Sequence, residues 1–494
     1  MQLKIKFLKW SAGIPVAMLH KETAKKLGIH TKARIYLRTL IKHPKEFHTI
    51  VNIIGDHIVK KDEIAVSSEI KDRMNLSNGQ KIEIGLAETP ISLDLIKKKL
   101  NNQALSENEI KEIVMDIVGN ELSESEIALF ISSMYVKGMN LKETIYLTKA
   151  ILNSGNIFKL KNKFIADKHC IGGVPNNRTT PIVVSICAAA GLIMPKSSSK
   201  AITSAAGTAD TMEVLAKVGF SVNKLKKILK KTNAFLVWGG AMGMVPADEE
   251  IIRIEKELKI DPEAQLLASI MSKKLAVGSH YILIDIPYGN GAKVTKLKAL
   301  LLKKKFEKIG KYFKKKLEVV LTKGDQPIGN GIGPVLEMID ILKILDPKQQ
   351  GPKDLETKSV FLAGKLLEMT GKAKKDWGIK KAEEILSSGK AYEKFKQIIQ
   401  AQGGAIKKLI PGEFKHNILA DKTGKILEIN NKAINLLARI AGCPTDKSAG
   451  IYLYAHKDDK IKKNEKILTI YSESESRLNE AVKFYAKNEA VSIA

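Results

Sequence analysis

The sequence predicts an α/β protein with a helical-bundle domain and a large mixed-sheet α/β domain. A small β-rich domain precedes them and a small α+β domain follows. Three observations carry this. From Pro90 apolar residues recur at helical spacing, from Phe164 the chain alternates strand, loop and helix, and after Pro411 short strands return. A length of 494 residues suits about three domains at roughly 150 residues each.

Residues 1–86 are the β-rich domain, with alternating strands at 33–40 and 81–86, a turn at Ser77-Asn78-Gly79, and a helix over 65–74. Residues 87–160 form the helical domain, joined by 246–276. Its helices are expected at 91–100, 106–118, 123–137 and 140–154, with Ser123-x-x-Glu126 as a capping box and Gly138 and Gly155 as stops. Residues 161–245 with 277–411 form the α/β domain. Its strands fall at 164–169, 192–197 and 281–287, the last apolar enough to be buried on both faces. Its helices fall at 179–190 and 210–218, and residues 248–275 are again helical. Residues 412–494 form the C-terminal domain, with one helix at 431–441.

Composition narrows the function classes. Cys170, Cys187 and Cys443 are the three cysteines. Their odd number and wide spacing exclude a disulfide framework and a C-x-x-C zinc pair, and suit a reducing cytoplasm. The opening MQLKIKFLKW has no apolar core of a signal peptide, and the apolar stretch at 181–193 is shorter than the about 20 residues a bilayer span needs. The expectation is a cytoplasmic protein without a membrane partner. The 82 Lys and Arg against 53 Asp and Glu leave a net charge of +29. The basic runs at 224–231 and 302–316 read as wet faces of amphipathic helices, and few aromatics interrupt them for base stacking. No specific nucleic-acid partner is expected.

Four segments carry chemistry. Asp167-Lys168-His169-Cys170-Ile171-Gly172-Gly173-Val174-Pro175-Asn176-Asn177-Arg178-Thr179 joins a strand to an apolar helix. Adjacent glycines and a helix start offer backbone N–H groups, and Lys168 and Arg178 bracket the loop with positive charge, which together describe an anion cradle. It matches neither a Walker A loop nor G-x-G-x-x-G. The segment from Lys196 to Asp210 is rich in hydroxyls and leads to a helix capped by Thr208 or Asp210. In Asp261-Pro262-Glu263, Asp and Pro suit an N-cap and first helical position, and further on Ser269 and Lys273 share one helix face. Gly289-Asn290-Gly291-Ala292-Lys293 sets a lysine at a strand exit. Spacing alone reaches an α/β enzyme that handles phosphate esters.

The residues say more. Asp-Lys-His-x-x-Gly-Gly-Val from Asp167, Ala-Gly-Thr-Ala-Asp-Thr from Ala206, and Ala-Ser-Ile-Met-Ser-Lys-Lys from Ala268 resemble the thymidine and pyrimidine nucleoside phosphorylase family. The stretch from Ser199 to Glu213 is most similar to its archaeal branch, the AMP phosphorylases. The resemblance runs from about Leu3 to Lys487 and includes Gln326-Pro327-Ile328-Gly329. It implies the nucleoside phosphorylase fold and a pentosyltransferase that converts AMP and phosphate, with CMP and UMP as further substrates, to free base and ribose 1,5-bisphosphate in nucleotide degradation or salvage. It implies phosphate contacts from Lys168, Ser198 and Thr208. It implies AMP contacts from Gly173, Ser199, Lys200, Ala201, Ile202, Thr203, Ser204, Thr208, Ser269 and Lys293, and a proton donor in Asp261. No metal or organic cofactor is implied; inorganic phosphate is a co-substrate. Assembly as a homodimer or larger homo-oligomer is implied, with the N-terminal domain serving it.

Four positions depart from the family pattern. Cys170 replaces a phosphate-binding Ser, Asn176 replaces a Gly, and Lys200 replaces an Arg and its bidentate fork. Ile254 replaces the Arg with which thymidine enzymes read the base. The alternatives are a thymidine or pyrimidine nucleoside phosphorylase and, from a different class, a non-catalytic basic RNA-binding protein.

Overall fold

The computed structural model describes residues 1–8, 11, 13–55, 57–158, 160, 164–201 and 204–494. Two compact units divide the chain: Met1–Ser154 with Pro246–Ala268, and Gly155–Val245 with Ser269–Ala494.

The first unit opens with a closed six-stranded barrel, in the order Gln2–Phe7, Glu63–Val66, Val16–His20, Glu46–Ile54, Arg34–Thr39 and Lys81–Leu86. Alternation dictates its inside. Leu3, Ile5, Ile35, Leu37, Ile82 and Ile84 are buried, and their chain neighbours Lys4, Arg38 and Lys81 are exposed. The helix expected over 65–74 is shorter, Ser68–Met74. Ala65 and Val66 pair with Met18 and Ala17 instead, because strand pairing buries β-prone residues that helix propensity alone leaves undecided.

The helices Ser92–Leu100, Glu107–Gly119, Glu124–Lys137 and Leu141–Asn153 follow, and Pro246–Leu258 returns to this unit. The Ser123–Glu126 capping box forms, and Ser106–Glu109 and Asn140–Glu143 form two more. Glu143 does double work: its Oε1 also accepts from the buried Lys99 Nζ at 2.8 Å and from Leu105 N–H at 3.0 Å. Gly138 ends its helix as the C-cap.

The second unit is built on parallel strands. Lys316–Lys323, Tyr281–Tyr288 and Ala166–Cys170 form one sheet, and Met194–Ser198 pairs with Ala234–Trp238. A parallel bridge between Ile165 and Ile193 continues the first set into the second. Tyr281–Tyr288 has parallel neighbours on both edges, and its six interior residues are buried. The helix Thr179–Ala189 is apolar on every side because it is packed on every side; all but its last residue are buried. Among the described residues no helix is long and apolar enough to cross a membrane. In the helix Val222–Thr232, Leu225, Ile228 and Leu229 are buried and the five lysines of the basic run are exposed.

Two expectations change here. The helix expected over 210–218 is a short one, Thr208–Met212, with Gly207 rather than Thr208 or Asp210 at its N-cap. The C-terminal region has a second helix, Glu475–Lys487, beside Asn431–Ala441. Its buried Leu478 and Ala481 carry only a narrow apolar stripe, which the flanking short strands obscure in the sequence.

Candidate active site

At the carboxyl ends of the parallel strands, the first loop is shaped by three left-handed positions. Gly172 and Gly173 both have φ 90, and Asn176 has φ 50. At Gly173 a side chain has no room, since a Cβ would lie 2.7 Å from Lys293 Cβ and 2.8 Å from Lys293 N. The loop carrying Lys293 therefore packs directly on the glycine pair. Asn176 occupies a glycine-like conformation that Asn tolerates better than most residues. It is buried, and its Nδ2 donates to Asp340 Oδ2 at 2.7 Å. Burial drives the Asp340 carboxyl up to about 6.

Arg178 serves differently from the sequence expectation. It pairs with the buried Glu337 at 2.7 Å and donates to the Ala206 carbonyl. Its charge is neutralised, and its role is to tie the first loop to the second. Glu337 also accepts from Thr211 Oγ1 at 2.7 Å.

The second loop folds on the Asp210 carboxylate, whose Oδ2 accepts from Ala201 N–H at 2.6 Å and Gly207 N–H at 2.7 Å. A Cβ on Gly207 would lie 2.5 Å from the Ser199 carbonyl oxygen, so only glycine permits this return. Ser204 Oγ donates to the Ala206 carbonyl at 2.6 Å. The Ser197 and Ser198 hydroxyls are buried without a hydrogen-bond partner among the described residues. Thr208 opens the helix after the loop. Lys200 Nζ lies 2.8 Å from Glu213 Oε1. Ile202 and Thr203 lie outside the described residues.

Beneath these loops lies a cluster of buried charge that the sequence reading did not find. Asp167 Oδ2 meets Lys274 Nζ at 2.7 Å and its Oδ1 meets Lys196 Nζ at 3.3 Å. Lys196 also donates to the Lys168 carbonyl at 2.9 Å. Asp285 pairs with Lys358 at 3.1 Å and accepts from Thr322 Oγ1 at 2.6 Å. Lys168 is fully buried, and its Nζ donates to Thr179 Oγ1 at 2.5 Å. Four ammonium groups thus stand against two carboxylates. Burial pushes Lys168 down to about 8 and also lowers Lys274, against the pull of Asp167. His169, half-buried, is held well below its ordinary range by desolvation of its ring and by these cations and is neutral at neutral pH. Cys170 is a protonated thiol, since burial raises it; its Sγ accepts from Asn177 Nδ2 at 3.1 Å and Gly172 N–H at 3.4 Å. Uncompensated positive charge is costly in a protein interior, so this arrangement favours an anion. A signal was present in the sequence: Lys196 and Asp285 interrupt apolar strands, and charges there must be paired.

The remaining candidates divide between the units. Lys273 Nζ donates to Ser269 Oγ at 2.9 Å, and Lys293 Nζ donates to the Ile171 carbonyl at 3.5 Å; all four residues belong to the second unit. Asp261 belongs to the first, and it is not the N-cap that the sequence suggests: the helix is Glu263–Ala276, and the Pro262 carbonyl accepts its first bond from Leu266 N–H at 2.9 Å, which sets Asp261 one residue before the cap.

Three family models match the chain. They are the helical bundle domain of the glycosyl transferase family over residues 93–155, its a/b domain over 162–392, and the pyrimidine nucleoside phosphorylase C-terminal domain over 425–492. The AMP phosphorylase of Thermococcus kodakarensis is 42% identical over all of this chain and 98% of its own length. That of Thermococcus sibiricus is 43% identical over 98% of this chain and 96% of its own, and that of Methanococcus aeolicus 40% over 98% and 95%. The chain belongs to the AMP phosphorylase family. Family membership includes the N-terminal barrel, since these relatives match well beyond the three models. It also makes the chain a pentosyltransferase-type phosphorylase, and nothing supports the RNA-binding alternative. Anthranilate phosphoribosyltransferase from Thermus thermophilus shares the fold at a TM-score of 0.53 and 16% identity, covering 63% of this chain and all of its own.

Proposed function

We propose that this protein is an AMP phosphorylase, converting AMP and inorganic phosphate to adenine and ribose 1,5-bisphosphate, with CMP and UMP as further substrates. The observation that carries this reading is the excess of buried ammonium groups around Lys168, at the strand ends where the glycine-rich and hydroxyl-rich loops meet. A dianionic substrate offsets that charge.

In this reading Lys168, Ser198 and Thr208 hold the attacking phosphate. A phosphate oxygen bonds to C1′ as the C1′–N bond breaks, and the electron pair leaves with the base. The ribose passes through an oxocarbenium-like state that the bound phosphate stabilises electrostatically. Asp261 gives a proton to the departing base. Gly173, the loop from Ser199 to Ser204, Ser269 and Lys293 bind the nucleotide, and Lys200 and Lys293 meet its 5′-phosphate. The reaction as written needs no metal or organic cofactor. A homo-oligomer is the expected assembly.

A phosphorolysis panel of AMP, CMP, UMP, adenosine and thymidine tests the reading. Phosphate-dependent release of adenine with formation of ribose 1,5-bisphosphate, and clear preference for AMP over adenosine, are expected. Equal use of AMP and adenosine would instead make the protein a nucleoside phosphorylase.

A further inference from the structure

Trp238 ends the edge strand Ala234–Trp238, and its register partner on the next strand is Ser198, where the hydroxyl-rich loop begins. Its ring lies against the turn that follows. A Cβ on Gly240 would sit 2.4 Å from the ring, so a glycine at that position is what admits it. Trp238 is 37% exposed. The Lys200 ammonium lies over it, 5.1 Å from a ring centroid, and is also 2.8 Å from Glu213 Oε1. Glu213 is shared, its Oε2 accepting from Lys447 Nζ at 3.0 Å. Burial opposes ionisation of Glu213, but the two lysines more than offset this and hold its carboxyl below the ordinary range. The backbone beside Lys200 is fixed as well, through the Ala201 N–H bond to Asp210.

A lysine is a point charge on a flexible stem, without the pre-organised fork of an arginine. In this chain a carboxylate and an aromatic face supply the definition that the side chain itself lacks. An ammonium carries three donors, so one can remain on Glu213 while another meets an anion. We infer that Trp238, together with Glu213, is a positioning residue for Lys200, orienting its ammonium toward the nucleotide 5′-phosphate and thereby setting the preference for nucleotide over nucleoside. The inference rests on the proposed role of Lys200 at that phosphate.

The test measures kcat and KM for AMP and adenosine in the wild type and in Lys200→Ala, Trp238→Ala and Trp238→Phe. Equilibrium binding of both ligands reads the same ratio where adenosine turns over slowly. Trp238→Ala is expected to raise KM for AMP about three- to tenfold, with kcat within about twofold, and to leave adenosine unaffected. Trp238→Phe, which retains an aromatic face, restores most of the loss. Should the alanine variant not fold, Trp238→Leu keeps an apolar side chain and removes the ring face. If Lys200→Ala leaves the AMP-to-adenosine ratio unchanged, the assigned role of Lys200 fails. If Lys200→Ala lowers the ratio and Trp238→Ala does not, the positioning inference alone is overturned. Equal impairment of both substrates without rescue by Phe overturns it too, reducing the ring to packing.

Discussion

Lys168 shows how one residue couples stability to chemistry. Burial lowers its ammonium from the ordinary range to about 8. Between there and its unfolded value the unfolded chain binds more protons, so stability rises with pH across that window. Below about pH 8 the folded protein carries the full cost of the buried charge. Phosphate binding runs the other way, because only the charged lysine attracts the anion. We therefore expect kcat/KM for phosphate to fall as pH rises through about 8, a limb that Lys168→Ala should lose along with most phosphate use. A pH profile of the two proteins checks it. Asp261 makes the contrasting case. Asn keeps the size of Asp but cannot give up a carboxylic proton, and Asp261 is exposed, so Asp261→Asn should lose most of kcat while stability moves by less than about 0.5 kcal/mol. Urea denaturation beside steady-state kinetics separates the two effects, and full activity in Asp261→Asn would remove the residue from the mechanism.

Among the elements, those whose information is local follow the sequence closely. Three helices of the first unit, Glu107–Gly119, Glu124–Lys137 and Leu141–Asn153, begin within a residue of the expected positions, because a hydroxyl or amide side chain and a Glu three residues later specify the start chemically. Replacing that cap, as in Ser123→Ala, should cost about 1 kcal/mol and leave kcat/KM for AMP unchanged. Thermal unfolding and a single kinetic assay are sufficient. Elements whose ends depend on distant contacts were less legible. The strand Glu63–Val66 takes residues that helical spacing assigned to the next helix, since its partners Val16–His20 and Gln2–Phe7 lie far away in the chain. Thr208–Met212 stops early, although the apolar residues continue to Val218.

For the whole molecule, the buried cations imply that ligand and fold are linked. A protein that binds phosphate in its native state alone gains about 2.7 kcal/mol when phosphate is at 100 times its Kd. Calorimetry should show a melting temperature that climbs with phosphate concentration. Lys168→Met removes a buried charge and its anion site together, so it should melt above the wild type in phosphate-free buffer and respond weakly to added phosphate. A wild-type melting temperature indifferent to phosphate would count against an anion site at these lysines. The exposed lysines of Val222–Thr232 lie on a solvated face, so the large net charge by itself does not predict such a site.

The sequence by itself determined the alternation of helices and strands, the capping chemistry, the glycine-bearing loops and the residue strings that carry the family resemblance. All of these are written within a few consecutive residues. Only the tertiary structure decided what the charges do. Arg178 finds Glu337 across 159 positions, and Asp167 finds Lys274 across 107. The first pairing turns an expected anion ligand into a strut, and the second contributes to the buried surplus of cations under the loops. Periodicity reports which face of an element is apolar, but partner choice between distant charges depends on which strand ends the topology brings side by side. For the same reason Asn176, a departure from the family pattern when read in line, fits its place once its left-handed backbone and its bond to Asp340 are visible.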